Sequence, residues 1–148
     1  MEDRTYNLNE VAMMTGFTTR TLRNYLNMKL LNGQKVDGAW QFTAEELERF
    51  FAEPFVREGL KTKRSSVVFD FLADTRKKDE RTCIILDVPA SMPESRKISD
   101  LFCKLMESAA DTEFHFDWHG GYCRVILTGP EDQTSKIMDA YRAYKADK

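Results

Sequence analysis

The chain has 148 residues, of which 42% are hydrophobic and 31% charged, and its net charge is −2. That length suits one medium domain or two small ones, and ten phenylalanines supply enough apolar area for real cores. No apolar run approaches membrane-spanning length, and Met1-Glu2-Asp3-Arg4 lacks the cationic start and apolar stretch of a secretory signal, while three widely spaced cysteines fit a reduced, cytoplasmic interior as small core residues.

Charge is distributed unevenly. Between Glu10 and Asp37 there is no acidic residue, only Arg20, Arg23, Lys29 and Lys35. A basic window on a net-negative chain is the electrostatic footprint of a module that docks on phosphate backbones. Residues 1–64 hold ten Lys and Arg against nine Asp and Glu, a balance of +1, and residues 65–148 hold twelve against fifteen, a balance of −3. The acidic C-terminal part is therefore assigned no nucleic-acid contact.

The first helix is expected to start near Asn9 as its cap, with Leu8 placed to staple against the first turn and Val11, Ala12 and Met14 as the apolar stripe. Thr15-Gly16 stops it, because glycine takes the left-handed conformation of a sharp turn. Thr18 caps a second helix running to about Asn27. Leu22, Tyr25 and Leu26 share its inner face, and Arg20, Arg23, Asn24 and Asn27 share the outer one. Arginine forks match guanine O6/N7 or phosphate oxygens, and asparagine pairs with adenine, so this outer face has the groups to read a major groove. The bland alternative is a solvated helix face.

Two turn signals follow, Asn32-Gly33 and Asp37-Gly38, with strands near Gln34–Val36 and Ala39–Phe42. Thr43 and Glu46 form a capping box for a third helix whose inner side is Leu47, Phe50 and Phe51. Trp40 has two readings, an aromatic closing a small core or a wing contact to the sugar-phosphate backbone.

Glu10-Val11-Ala12, Thr15-Gly16-Phe17-Thr18, Arg20-Thr21-Leu22-Arg23-Asn24-Tyr25 and then Gly38 through Phe42-Thr43 with Glu46-Leu47 together resemble the winged helix-turn-helix of the MerR family. The resemblance covers residues 6 to about 52. It implies a transcription regulator that binds double-stranded DNA as a dimer, with Arg20 and Arg23 at the family's recognition-helix arginines. Asn24 stands where the family usually has an aromatic, and Ala39-Trp40 replace its tyrosine-arginine pair in the wing. Excisionases, single-module DNA binders, share the pattern.

Pro54 to Leu60 reads as a short helix, and Gly59 with Lys61-Thr62-Lys63-Arg64 as a basic hinge whose cations face flanking phosphates or solvent. Ser65 or Ser66 then caps a helix to about Lys77, with Val67, Val68, Phe71 and Leu72 inward. Thr82–Val88 reads as a strand, Glu94–Ser108 as a helix with Ile98, Leu101, Phe102, Leu105 and Met106 inward, and Glu113–His119 and Tyr122–Thr128 as strands around Gly120-Gly121. Pro130 opens a last helix with Ile137, Met138, Tyr141 and Tyr144 inward. This β-α-β-β-α order is a split unit, ferredoxin-like but short of a last strand, with the third strand between the other two. The fold class is thus α+β, with a winged helix-turn-helix over 1–53, a helical linker over 54–78 and an α+β dimerisation or ligand-sensing domain over 79–148.

His115, His119 and Cys123 have zinc-like spacing, but a two-residue turn opposes Trp118 to Cys123 and Asp117 to Arg124. Cys123 then falls on the core face with Phe114, Phe116, Trp118, Val125 and Leu127, away from both histidines. His115, Asp117 and His119 share the other face and have the donor types of a metal site, but the reading taken is a solvated face with an Asp117–Arg124 pair across the strands. No nucleophile–base constellation and no phosphate-cradling glycine loop is found, so no enzyme, metal or cofactor is expected.

The reading is a cytoplasmic, sequence-specific DNA-binding transcription regulator acting as a homodimer. Arg20, Arg23, Asn24 and Asn27 approach bases, while Thr18, Thr19, Lys35 and Trp40 orient the module on the backbone. An unidentified small-molecule effector is a further candidate partner. The alternatives are an excisionase-type or architectural DNA binder, and a protein-interaction module whose helix-turn-helix does not bind DNA.

Overall fold

A computed structural model of the chain describes residues 4–119 and 121–147. Met1–Asp3, where the signal-peptide reading falls, Gly120 of the expected hairpin turn, and Lys148 lie outside the described residues, as does the side chain of His119.

A short strand that the sequence did not announce, β1 (Thr5–Asn7), precedes the first helix, α1 (Leu8–Thr15). The cap is Asn7, not Asn9: its side chain accepts from the Glu10 N–H at 2.8 Å while the Glu10 carboxylate accepts from the Asn7 N–H at 3.0 Å. The Asn-x-x-Glu spacing was the signal for it. Gly16, at φ 79°, ends the helix by donating to the Ala12 carbonyl. Helix α2 (Thr19–Asn27) follows with Thr18 as its cap. Strands β2 (Gln34–Val36) and β3 (Ala39–Thr43) form the hairpin, with Asp37 and Gly38 at φ 52° and 81°, the two positive values of a type I′ turn. Asn32-Gly33 makes no hairpin. Gly33 instead lies beneath Phe42, where a Cβ would come 2.5 Å from the ring. β1 and β2 flank β3, and Thr43 with Glu46 caps α3 (Ala44–Ala52) with the expected box.

The hinge expected at 59–64 is absent from the structure. Pro54–Ala73 is one helix, α4, of 20 residues, about 30 Å long at 1.5 Å per residue. Gly59 sits within it because a Cβ there would lie 3.1 Å from Phe17 and from the Tyr25 hydroxyl, so the glycine sets close helix packing rather than flexibility. The helix ends at Ala73, short of Lys77, whose ammonium turns back to donate to the carbonyls of Phe71 and Asp74.

The remaining elements are β4 (Arg81–Pro89), α5 (Met92–Met106, capped by Ser91), β5 (Glu113–His119), β6 (Tyr122–Pro130) and α6 (Glu131–Ala146). The sheet is antiparallel in the order β4-β6-β5, so the third strand of the unit lies between the other two. The register also matches expectation, Trp118 opposite Cys123 and Asp117 opposite Arg124. Phe114, Phe116, Trp118, Cys123, Val125 and Leu127 are buried, together with Ile98, Phe102, Ile137 and Tyr141 of α5 and α6.

The second face of β5 departs from the sequence reading. It is not solvated. His115 and Asp117 are buried, because α1 and α3 pack on β5 and α4 reaches over it. Asp117 takes two bonds from Arg57, at 2.8 and 2.9 Å, and has Arg64 at 3.6 Å, while Arg124 pairs with Asp87 instead. Arg64, expected at a phosphate-facing hinge, is buried and donates to the Phe116 carbonyl at 3.2 Å. Phe51 of α3 meets Trp118 edge-on, with ring centroids 5.2 Å apart. Buried residues from Tyr6 to Tyr141 consequently form a single hydrophobic cluster running through both halves of the chain.

Candidate nucleic-acid interface

Orientation of α2 follows from its inner face. Leu22 is fully buried, and the Tyr25 ring packs edge-on against Phe17, Phe50 and Phe55 at centroid distances of 5.4, 5.4 and 6.0 Å. Such pairs add to simple area burial and leave one rotational setting for the helix. Burial also pushes the Tyr25 phenol up from its ordinary value, so it stays neutral. The Thr18 hydroxyl accepts from the Thr21 N–H at 3.1 Å and so places the start of α2 directly after the Gly16 turn.

With that face fixed inward, Arg20, Arg23, Asn24 and Asn27 are all exposed. Among the described residues, neither arginine takes part in an ion pair or hydrogen bond. Exposed Arg49 and Arg76 likewise have no side-chain ion pair or hydrogen bond among the described residues, whereas Arg142 pairs with Asp139, so what sets Arg20 and Arg23 apart is their place beside Asn24 and Asn27 on one helix face. Two unpaired guanidiniums beside two carboxamides leave the donors and acceptors of one helix face open to an outside partner.

The wing adds a second element. Trp40 is half-buried and stacks on Phe42 at 6.2 Å with an interplanar angle of 11°, and the Lys35 ammonium lies 5.3 Å above its ring. The stack on Phe42 ties Trp40 to the core, and the Lys35 ammonium adds a cation beside the same ring. Thr18 and Lys35 are exposed and Thr19 is half-exposed. The eight candidate residues thus lie on the α2 segment, with its cap, and on the wing.

Sequence reasoning missed the residues that hold this surface in place. The Gly16 turn sits against the His115 ring, so closely that a Cβ on Gly16 would come 2.5 Å from it. Burial, with Arg64 and Lys63 nearby, pushes the His115 imidazole below its ordinary value of 6.5. The Tyr6 hydroxyl donates to Asp100 of α5 at 2.9 Å, Arg4 bridges Glu10 and Asp100, and Arg96 pairs with Glu45. Arg57 and Asp117, joined 60 positions apart, had no local signal at all.

Residues 6–52 match the family described as MerR HTH family regulatory protein. The match begins in β1, ends at the last residue of α3, and takes in both α2 and the wing. No curated protein and no solved structure matches the chain. The N-terminal third is therefore a MerR-like helix-turn-helix segment, and a segment of that regulatory family points to a DNA-binding transcription regulator. Among the described residues no helix is long and apolar enough to cross a membrane.

Proposed function

We propose that this chain is a sequence-specific, DNA-binding transcription regulator, cytoplasmic and non-enzymatic, that works as a homodimer. The observation that carries the reading is the outer face of α2, which presents Arg20, Arg23, Asn24 and Asn27 with both guanidiniums unpaired. In a major groove the arginines address guanine edges and the asparagines adenine edges. Thr18 and Thr19 at the helix start, and Lys35 on Trp40 in the wing, set the register on the phosphate backbone. Homodimerisation is supported by the small size of one such module, which makes too few contacts for tight specific binding until two half-sites are joined. In the C-terminal part, segment 79–148 serves assembly, and segment 54–78 links it to the reading head at 1–53.

Selection from a random duplex pool with the full-length protein tests this. An enriched motif with inverted half-sites, still bound at moderate salt, is the expected result. Binding that enriches no motif and collapses with salt would replace this reading with an architectural binder. Absence of any DNA retention would leave a protein-interaction module.

A further inference from the structure

We infer that the second copy docks in the groove between the C-terminal half of α4 and the outer face of the β4–β6 sheet; the inference rests on the homodimer reading above. Val68, Phe69 and Leu72 of α4 and Ile85 and Ile126 of the sheet line this groove, which has a volume of about 510 Å³. Phe69 is 69% exposed, Leu72 73% and Ile85 53%. One such residue would be ordinary on any protein surface. Three in one contiguous patch expose roughly 350 Å² of apolar surface, within the range where the largest patch on a monomer is often functional.

The shape selects a copy of the same chain. Phe69 and Leu72, three apart on α4, form a ridge directly beside the groove. A twofold rotation places each ridge in the other copy's groove, which is the self-complementarity an isologous dimer requires. Two facing patches contribute roughly 700 Å² of apolar centre, more than half of the roughly 1,200 Å² at which a stable interface begins. A small molecule in the groove would leave the outward sides of Phe69 and Leu72 in water.

Charge is compatible with self-docking. Of the two cations at the groove, Arg124 donates to both Asp87 oxygens at 2.6 and 2.9 Å, and Arg64 is buried, with its guanidinium turned to the Phe116 carbonyl and to the Asp117 it shares with Arg57. An unpaired charge here would meet its own kind across the twofold axis, at a cost in affinity. The same geometry gives the dimer a purpose. The N-terminal half of α4 packs on Phe17 and Tyr25 at Gly59, so pairing the C-terminal halves sets the separation of the two α2 helices.

Sedimentation velocity on the full chain, wild type against Phe69→Asp and Leu72→Asp, is the test. Both sites are already largely in water, so the variants are expected to keep the wild-type circular dichroism spectrum. Val36→Asp, exposed in the wing hairpin, controls for loss of surface apolarity. The expected result is a wild-type dimer at micromolar concentration, dissociated by either aspartate with a dimer constant weakened about thirtyfold or more, as for a central hot spot, and unaffected by Val36→Asp. A wild-type dimer that both aspartates leave intact would overturn this surface while keeping the homodimer. A wild-type monomer at high concentration would overturn the surface and the homodimer together, and the DNA selection would then stand alone. A spectrum altered by both aspartates would show that these side chains serve the monomer's own core, which also overturns the inference.

Discussion

Replacing Asp117 with asparagine probes the joint between the helix-turn-helix segment and the sheet. The carboxylate is 6% exposed, accepts from Arg57 Nη1 at 2.8 and 2.9 Å, and is the anion nearest Arg64, itself 8% exposed. Asparagine preserves the volume but removes the charge, leaving a buried guanidinium without a counter-ion. Burial already holds the Arg64 pKa below its ordinary value, against the pull of Asp117. Breaking a buried pair from one side costs about 3–5 kcal/mol. Arg57, whose side chain is 29% exposed, turns to water when released, which places the expected loss at the low end, about 3 kcal/mol. For a chain of this size that is a fall in Tm of about 6–12 °C. Urea and thermal melts followed by circular dichroism and by Trp118 fluorescence, in a Trp40→Phe background, measure it. Trp118 touches Phe51 and so reports the joint directly. A loss below about 1 kcal/mol, the scale of an exposed ion pair, would refute the role assigned to this cluster.

Gly16→Ala is expected to cost about 2–4 kcal/mol, since it adds a left-handed backbone penalty to a Cβ 2.5 Å from His115. His115→Ala in the same background should recover part of that loss, and no recovery in a double-mutant cycle would mean the turn does not rest on the ring. Stability should also depend on pH through His115. Its folded value is depressed below the unfolded 6.5, so its contribution is complete above about that pH and is lost as pH falls and the unfolded state takes up the proton. Urea midpoints at pH 7.5 and 5.5 should drop less for His115→Gln than for wild type; equal drops would assign the dependence elsewhere. Arg20→Ala and Arg23→Ala should each weaken the selected DNA site by about 1–3 kcal/mol in fluorescence anisotropy without lowering Tm. Unchanged affinity for both would remove α2 as the reading element.

Much of the secondary structure was legible because its causes are local. The box at Thr43–Glu46, the left-handed Gly16 and the paired positive φ values at Asp37-Gly38 are each settled within a few residues, whereas the cap of α1 was read at Asn9, two residues late. Strand alternation also gave the β5–β6 register and put Cys123 on the core side, away from His115. Errors arose where a local signal had a distant cause. Gly59 beside four basic or polar residues reads as a hinge, yet its missing Cβ serves Phe17 and Tyr25 some forty positions earlier. Gly33 reads as a turn but makes room for Phe42.

The two sides of α2 were the most legible feature of all. The helical period alone separates Leu22 and Tyr25 from Arg20, Arg23, Asn24 and Asn27. Tertiary structure decided how that helix is held. An edge strand with alternating side chains can expose its second face or bury it, and nothing in the Glu113–His119 stretch distinguishes the two. The choice fell to α1, α3 and α4, which cover β5, turn Asp117 from a cross-strand partner of Arg124 into the anchor of Arg57 and Arg64, and place His115 under the Gly16 turn. The same packing faces Leu72 outward, although its spacing read as inward. Periodicity shows that a helix has an apolar side; only the elements packed around it determine whether that side meets its own chain.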